Sequence, residues 1–451
     1  MNAITAPLRE LAEFEEGQAL LKKTGACVGF TGCVDSQKLH MAYGLSDGFR
    51  YKIIVTFSDL KAREIFEDYQ FYDREVTWYP AKDLIFYQAD IHGNQLVTER
   101  MKALRKIIEG KPQTVITTFA ALMSPQVPLE EIAASVIHID ADSSLNEGEL
   151  ARKLAEMGYE KNYQVDAPGQ FSIRGGIIDI FDLTEENPYR IELWGEEVES
   201  IRSFDLLSQR SVEKLNEVDI YPATEMMLSE EQKEKGLRRI EKEAKEFEEK
   251  LRSSFLTEEA HRVKTQIKEL REQVMEFSQM TNLESYIRYF YEDTVSFLRF
   301  FPEGESCVFI DEAARVKEQA LAVEMEFRES MGHRLEKGYI LPGQADLLYG
   351  WEETAGFLQH MRTVLFSSMD SSNALLKPQR KFDVNVKSMS SYNSSFDALV
   401  ADLKRYKKNG YRVLLLSGSR TRARRLAEDL QEQGLASFYS EDGERVVNSG
   451  E

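Results

Sequence analysis

Short apolar runs alternate with helix-like segments along residues 1–140. Asp59 to Tyr69 and Glu99 to Ile108 have the spacing of amphipathic helices, and the apolar runs around them are too short to be helices. Short strands that alternate with helices are typical of βαβ units. The pattern therefore predicts a mainly parallel sheet, with strands at Ala26–Phe30, Tyr51–Phe57, Thr114–Phe119 and Ser135–Ile139.

The pattern changes near residue 144. Asn146 and Glu149 have the spacing of a capping box, which predicts a short helix that ends before Gly158. The runs GQFSIRGGIIDIFDL and PYRIELWGEEVESIRSFD then alternate apolar and polar residues, with a turn at Trp194-Gly195-Glu196. Alternation with a period of two is typical of a sheet with one buried face. We therefore expect a second, small domain built on an antiparallel sheet.

Residues 229–277 are rich in Glu, Lys and Arg, and their apolar residues recur at steps of three and four. A narrow apolar seam of this kind predicts two paired helices with solvated charged faces. The seam consists of Leu237, Ile240, Ala244, Phe247 and Leu251, followed by Leu256, Ala260, Val263, Ile267, Leu270 and Val274.

The remainder contains an apolar strand at Ser306–Glu312 and a polar, serine-rich stretch at residues 366–396. The last segment has a helix–strand–helix pattern, with Val413 to Leu416 as the strand and Ser419 or Thr421 as the cap of the second helix. We therefore expect an α/β multidomain protein, with domains at residues 1–143, 144–223, 224–375 and 376–451.

Composition narrows the possible functions. The net charge of −20 disfavours a general nucleic-acid binder, which normally carries a basic surface. Cys27, Cys33 and Cys307 form no CxxC pair, so we expect free thiols, no metal site and no cofactor. No apolar stretch approaches the roughly 20 residues that span a bilayer, and the polar N-terminus is unlike a signal peptide. We expect a cytoplasmic monomer without membrane association.

The stretch GFTGCVDS follows the first predicted strand, where a P-loop would bind phosphates. A P-loop has the form G-x-x-x-x-G-K-[ST], and here Gly29, with Gly32 inside the turn, and Ser36 fit that form. Val34 replaces the second glycine, and Asp35 replaces the lysine. A carboxylate about 4 Å from a phosphate costs roughly 4 kcal/mol, where a lysine gains as much. We therefore expect this loop to have lost triphosphate binding.

The run VFIDE has the form of the strand that positions magnesium and water in such ATPases, with Asp311 and Glu312 as its acids. A strand that ends in acidic residues is common, so this signal is weak alone. Together with the altered loop, it predicts a nucleotide-binding fold without its chemistry and without catalytic residues.

Alternation in YRIELW places Arg190 and Trp194 on one face of a strand, opposite Ile191 and Leu193. Arg174 has the same polar position in GQFSIRGG. If the apolar face is the core, the arginines and Trp194 are exposed together, as in an interaction hot spot. The alternative is that Trp194 packs on a helix of its own domain and Arg190 bridges Glu192.

This region resembles the domain shared by the excision repair protein UvrB and the bacterial transcription-repair coupling factor (Mfd). The runs RGGIIDIF and PYRIELWG, followed by EVESIRSFD and SQRS, are long and ordered enough to be specific. GFTGCVDSQK and FFPEGESCVFIDEA stand where UvrB has its working P-loop and Walker B strand. The stretch from Tyr79 to Arg100 is short and poor in tyrosine, so we expect the damage-probing hairpin of UvrB to be absent. The chain is therefore most similar to the N-terminal UvrB-like region of the coupling factor.

The resemblance implies a degenerate RecA/helicase-like parallel-sheet domain, split by an inserted α+β domain with an antiparallel sheet and followed by a small α/β domain. In that family the inserted domain recruits UvrA, and the contact positions match Arg174, Arg190 and Trp194. The last position is commonly phenylalanine. Family modules that bind RNA polymerase and translocate on double-stranded DNA would follow residue 451.

The sequence thus predicts a non-enzymatic recruitment fragment that docks UvrA, with Arg190 exposed and unimportant for stability. The alternative is an active UvrB-like ATPase or damage-DNA-binding fragment, which saturable ATP binding or salt-sensitive binding to damaged duplex would reveal.

Overall fold

A computed structural model describes residues 4–82, 93–276, 283–370, 376–389, 391–392 and 395–441. Its strands are β1 (Cys27–Thr31), β2 (Tyr51–Thr56), β3 (Thr77–Tyr79), β4 (Gln113–Thr118), β5 (Ile137–Asp140), β6 (Glu160–Lys161), β7 (Gln170–Arg174), β8 (Ile177–Phe181), β9 (Tyr189–Trp194), β10 (Glu197–Phe204), β11 (Ser211–Leu215), β12 (Glu217–Ile220), β13 (Ser306–Asp311), β14 (Arg362–Ser367) and β15 (Arg380–Asp383).

Its α-helices are α1 (Ala12–Leu21), α2 (Asp35–Leu45), α3 (Asp59–Tyr69), α4 (Gly93–Ile108), α5 (Phe119–Leu122), α6 (Leu129–Ser135), α7 (Glu147–Glu156), α8 (Glu230–Ser253), α9 (Thr257–Glu276), α10 (Ile287–Phe290), α11 (Ala313–Glu336), α12 (Pro342–Ala345), α13 (Trp351–Leu358), α14 (Phe396–Lys408) and α15 (Arg420–Glu432). Short 3₁₀ helices lie at Ala6–Glu10, Leu283–Tyr286 and Phe297–Phe300.

The largest sheet has seven parallel strands in the order β15-β1-β14-β13-β2-β4-β3. Its inner strands are buried along most of their length because helices cover both faces, which explains their continuous apolar runs. One face packs against a core that includes Ile53 and Val115, and the other against a core that includes Val28 and Phe30. The predicted parallel sheet is confirmed, with β1, β2 and β4 within one residue of their predicted starts.

One predicted strand lies elsewhere. The run predicted at Ser135–Ile139 forms β5, which pairs antiparallel with β12 in a separate two-stranded sheet. Its alternating burial explains the difference, since Ile137 and Ile139 are buried and His138 is exposed. Strands of a covered parallel sheet are buried on both faces. The assignment of this run to the large sheet was therefore wrong.

A six-stranded sheet interrupts the large one in the chain, with the order β11-β10-β9-β8-β7-β6. Its pairings are antiparallel apart from that of β6 with β7. Helix α7 covers one face through Leu150 and Leu154, and Asn146 caps this helix by accepting hydrogen bonds from the backbone of Gly148 and Glu149. The predicted antiparallel unit, inserted between β4 and β13 of the large sheet, is confirmed.

The predicted helix pair is α8 and α9. Ser229 and Gln232 form a reciprocal capping box at the start of α8. Nine of the eleven predicted seam residues are buried; Ile267 is half-buried, and Leu256, just before α9, is exposed. The seam packs into the core on one face of the large sheet, which is why the charged faces remain in solvent.

The last part of the chain differs from the expected helix–strand–helix unit. Ser419 does cap α15, but Val413 to Leu416 form no strand among the described residues, and Leu414 and Leu416 are exposed. A strand needs a neighbouring backbone to pair with. Strand β15, which follows the predicted boundary at 376, instead joins β1 at the edge of the large sheet. The prediction of a strand at Val413–Leu416 was wrong.

Candidate functional site

The loop after β1 has the local geometry of a tight strand-to-helix turn. Gly32 has a φ of +77°, and a Cβ there would lie 2.4 Å from the backbone oxygen of Val384. This residue is therefore a glycine for two reasons, its conformation and the close approach of the segment after β15. Val34 has an extended backbone (φ −92°, ψ 159°), which a β-branched residue adopts readily, and α2 begins at Asp35.

A buried lysine, not predicted from the sequence, lies between this loop and the acids after β13. The Nζ atom of Lys38 is 2.9 Å from Oδ1 of Asp311, 2.6 Å from Oε1 of Glu312 and 3.2 Å from Oδ1 of Asp35. Thr56 donates a hydrogen bond of 2.9 Å to the second oxygen of Asp311. Burial alone would lower the pKa of Lys38, but Asp311 and Glu312 raise it above its ordinary value. The acids of the VFIDE run therefore face an ammonium ion from their own chain.

The surrounding residues hold the acids in this arrangement. Glu312 has a φ of +54°, which is rare outside glycine, and its carboxylate accepts a hydrogen bond of 3.0 Å from the backbone of Ser368. Burial would raise the pKa of Glu312, but Lys38 and Ser368 lower it. Asp35 forms a second ion pair, 2.8 Å long, with Lys61, and the hydrogen bond from Lys61 lowers its pKa.

The space left in this cluster is small. A cavity of about 20 Å³ lies among Asp35, Lys38, Lys61, Asp68 and Asp311. That volume holds about one water molecule, whereas small-molecule sites have about 300 Å³ or more. The sequence analysis named Gly29, Gly32, Val34, Asp35 and Ser36 as an altered phosphate loop, and Asp311 and Glu312 as the acids of an altered strand end. Of the loop residues, Asp35 contacts the same lysine, Lys38, as both acids.

The second predicted site lies on the outer face of the six-stranded sheet. Asp179 on β8 is opposite Arg190 on β9, and Arg190 donates hydrogen bonds of 2.6 Å from Nε and 2.8 Å from Nη2 to its two carboxylate oxygens. Arg174 on β7 donates a third, 3.0 Å long, from Nη2. Asp179 is buried, so its carboxylate depends on these two arginines for its charge partners. The hydrogen bond to Asp179 raises the pKa of Arg190.

The exposure of the three predicted contact residues differs. The side chain of Trp194 is 79% exposed, so the alternative that it packs on a helix of its own domain is excluded. The side chain of Arg190 is only 14% exposed and lies over the ring of Phe204, 4.2 Å from its centroid. The expectation that Arg190 is exposed was therefore wrong, and Asp179 is its partner instead of Glu192. Glu192 pairs with Arg202 at 2.6 Å.

Sequence reasoning missed Asp179 and Lys38. Asp179 had a detectable signal, because alternation in IIDIF places it between two buried isoleucines and therefore on the same face as Arg174. Lys38 had none, because its partners Asp311 and Glu312 lie more than 270 positions away in the chain.

A third buried cluster surrounds Arg100. Arg100 on α4 donates hydrogen bonds of 2.6 and 2.9 Å to Glu225 and one of 2.7 Å to the backbone oxygen of Pro80. Its guanidinium carbon lies 3.9 Å from the centroid of the Tyr79 ring. Residues 83–92, on which the prediction of an absent hairpin depends, lie outside the described residues.

In the described parts of the chain, no cluster of three or more His, Cys, Asp or Glu residues is arranged to hold a metal ion. Cys27, Cys33 and Cys307 are free, and burial raises the pKa of Cys33 to about 11. In the same described ranges, every helix is too short or too polar to cross a bilayer.

Comparisons with known proteins agree with the resemblance stated above. Residues 137–226 match the family model of the UvrB interaction domain. The transcription-repair-coupling factor of Bacillus subtilis (strain 168) is 30% identical over 376 residues, which are 83% of this chain and 31% of that protein. The factor of Staphylococcus aureus (strain Mu50) is 26% identical over 445 residues, 97% of this chain and 37% of that protein. The chain thus spans about a third of the length of the curated relatives it matches.

Proposed function

We propose that this chain is the part of a transcription-repair-coupling factor that recruits the repair protein UvrA. The chain is similar to such factors along 83 to 97% of its length. The proposed docking face consists of Arg174, Arg190 and Trp194 on the outer side of the six-stranded sheet. The match of residues 137–226 to the UvrB interaction domain supports this assignment, because all three residues lie within it.

The observation that carries the proposal is the combination of an exposed tryptophan with two arginines that one buried carboxylate orients. Two guanidinium groups share the single charge of Asp179, so the pair keeps a net positive charge for a partner's carboxylate. Arginine suits this role because its planar donors pair with carboxylates in a fixed geometry. Trp194 supplies apolar contact area beside them.

We further propose that the parallel-sheet domain of this chain is not an ATPase. Lys38 pairs with both Asp311 and Glu312, the acids that would hold magnesium, and the cavity beside them has room for about one water molecule. The proposal includes the division at residues 143, 223 and 375, except that β15 belongs to the parallel sheet. It also includes a cytoplasmic location and a monomeric state. In the whole protein, RNA polymerase and double-stranded DNA would be bound by other modules.

Titration of the chain with purified UvrA tests the docking proposal. Trp194→Ala is the most informative variant, because its side chain is exposed and its loss should weaken UvrA binding without unfolding the domain. Leu60→Ala, which removes an exposed apolar side chain from α3, is a matched control. Failure of the wild-type chain to bind UvrA, or equal binding by the Trp194 variant, contradicts the proposal.

A further inference from the structure

An exposed tyrosine lies beside the arginine pair, Arg174 and Arg190, on the side of β7. The side chain of Tyr163 is 84% exposed, and its ring lies over Arg174, with the guanidinium carbon 5.6 Å from the ring centroid. The backbone of Tyr163 is fixed, because the buried Ser172 donates a hydrogen bond of 2.8 Å to its carbonyl oxygen. A large aromatic side chain that is exposed and held on a fixed backbone loses little entropy on binding.

A turn with a fixed shape lies on the opposite side of the arginine pair. Leu207 is 94% exposed in the turn from Asp205 to Arg210, which connects β10 to β11. Gln209 has a φ of +56°, and its side chain accepts a hydrogen bond of 3.0 Å from Nη2 of Arg190 while donating one of 2.8 Å to the backbone of Leu206. Backbone strain of this kind persists where the surroundings fix it, and it is frequent at binding sites.

The turn is also braced from within. The carboxylate of Asp205 accepts hydrogen bonds of 2.8 Å and 2.6 Å from the backbone and hydroxyl of Ser208. The exposed leucine is therefore presented by a turn whose shape is fixed on both sides, and Gln209 links that turn directly to the arginine pair.

The sheet face between these residues is less acidic than the rest of the chain. Its cross-strand pairs place four basic and four acidic side chains on this face, whereas the whole chain has a net charge of −20. These side chains are Glu160, Arg174, Asp179, Arg190, Glu192, Glu197, Arg202 and Lys214.

The three exposed side chains of Tyr163, Trp194 and Leu207 lie on three sides of the arginine pair. Trp194 ends β9, and the turn with Leu207 lies beyond the other end of that strand, because Phe204 of β10 bonds to the backbone of Pro188. Six residues of strand span about 20 Å. An interface of standard size, about 800 Å² per partner, is wide enough to cover this distance.

We infer that the UvrA docking surface extends to Tyr163 and Leu207, and that its partner offers a carboxylate centre flanked by separate apolar contact sites. This inference rests on the proposed function. Tyr163, Trp194 and Leu207 act as apolar anchors, and Arg174 and Arg190 form the charged centre between them. UvrA is the occupant, because it is the partner of the proposed function, and a carboxylate on it would complement the two arginines that share Asp179.

The test measures the dissociation constant of the full chain and UvrA at two salt concentrations. Tyr163→Ala and Leu207→Ala should each weaken binding by about fivefold or more, as truncated anchors do. Their salt dependence should equal that of the wild type, whereas Arg174→Gln should reduce both affinity and salt dependence. Phe255→Ala and Leu60→Ala are the controls, since both side chains are highly exposed outside this sheet, and they should bind like the wild type.

The outcomes separate this inference from the proposed function. If Arg174→Gln weakens binding and either Tyr163→Ala or Leu207→Ala binds as tightly as the wild type, the extended surface is wrong and the proposed function stands. A comparable loss in the Phe255 and Leu60 controls also overturns the extension. If the wild-type chain does not bind UvrA at all, the proposed function itself fails.

Discussion

The ammonium nitrogen of Lys38 lies 2.9 Å from Oδ1 of Asp311, although one residue belongs to α2 and the other ends β13. This ion pair connects α2, which follows the loop after β1, to the acids at the end of β13, the fourth strand in the sheet order. Both side chains are almost completely buried, so neither can exchange its partner for water. An internal cation thus occupies the position that faces these carboxylates.

Replacing Lys38 with methionine should lower the free energy of unfolding by about 3–5 kcal/mol. The substitution leaves Asp311, and in part Glu312, buried without a compensating charge. Urea denaturation measures the change. Lys61→Met is the matched control, because Lys61 pairs with the more exposed Asp35 and Glu64, and its removal should cost about 1 kcal/mol or less. Equal losses in the two variants would contradict the role assigned to Lys38.

The same ion pair has a defined pH dependence. The folded pKa of Lys38 is raised above 10.5, so its contribution to stability is complete below that pH and is lost as the pH rises through the folded value. Between pH 6 and 9, the stability difference between wild type and Lys38→Met in urea denaturation should therefore keep its size, apart from proton uptake by the buried carboxylates that the variant leaves unpaired.

The wild-type chain should show no saturable binding of ATP with magnesium at millimolar concentrations. Asp35 lies where a phosphate-binding lysine is needed, and Asp311 and Glu312 are already paired with Lys38. Isothermal titration calorimetry measures this directly. Micromolar binding that is lost on Ser36→Ala would establish the active-ATPase alternative instead.

Arg190→Ala should destabilise the chain, whereas Arg174→Ala should do so much less. Arg190 provides two of the three arginine hydrogen bonds to buried Asp179, and its loss should cost about 2–4 kcal/mol. Arg174 provides one and is more exposed. Thermal melting of both variants and of Arg190→Lys checks the order. A loss of UvrA binding by Arg190→Ala alone is therefore ambiguous, and Arg174 is the better arginine for binding studies.

Trp194→Ala should leave the unfolding transition unchanged within about 0.5 kcal/mol, because truncation of an exposed side chain removes few contacts. Its binding to UvrA should fall about tenfold or more if Trp194 is an anchor of the docking face. Melting and binding are measured on the same preparation. A destabilised variant would mean that Trp194 packs on neighbouring structure in solution.

The sequence predicted the elements whose signals are local. The strands β1, β2 and β4 and the seam of α8 and α9 follow from periodicity, which each segment carries by itself. The exposed position of Trp194 also followed from alternation, but the burial of Arg190 depended on Asp179 across the sheet, on another strand. Lys38 could not be predicted, because only the fold brings it to Asp311. The strand predicted at Val413–Leu416 also depended on a pairing partner, and the described residues place no strand beside it.

Glu225→Gln should make the stability of the chain less dependent on acid pH. Burial alone would raise the pKa of Glu225, but Arg100 and Lys82 hold it well below its ordinary value of 4.5. A carboxyl group whose pKa is lower in the folded state than in the unfolded state stabilises the fold above its unfolded-state pKa. This stabilisation is lost as the pH falls towards the folded-state pKa.

Urea denaturation at pH 7 and at pH 3.5 distinguishes the two proteins. At pH 7 the variant should be less stable by about 3–5 kcal/mol, because Arg100 remains buried without its charge partner. Between pH 4.5 and 3.5 the wild type should lose stability faster than the variant, so the gap between them should narrow. Glu249→Gln, on the exposed face of α8, should preserve the wild-type slope. A gap that stays constant over this range would show that the pKa of Glu225 is not lowered in the folded state, and a gap that widens would show that Glu225 is protonated there.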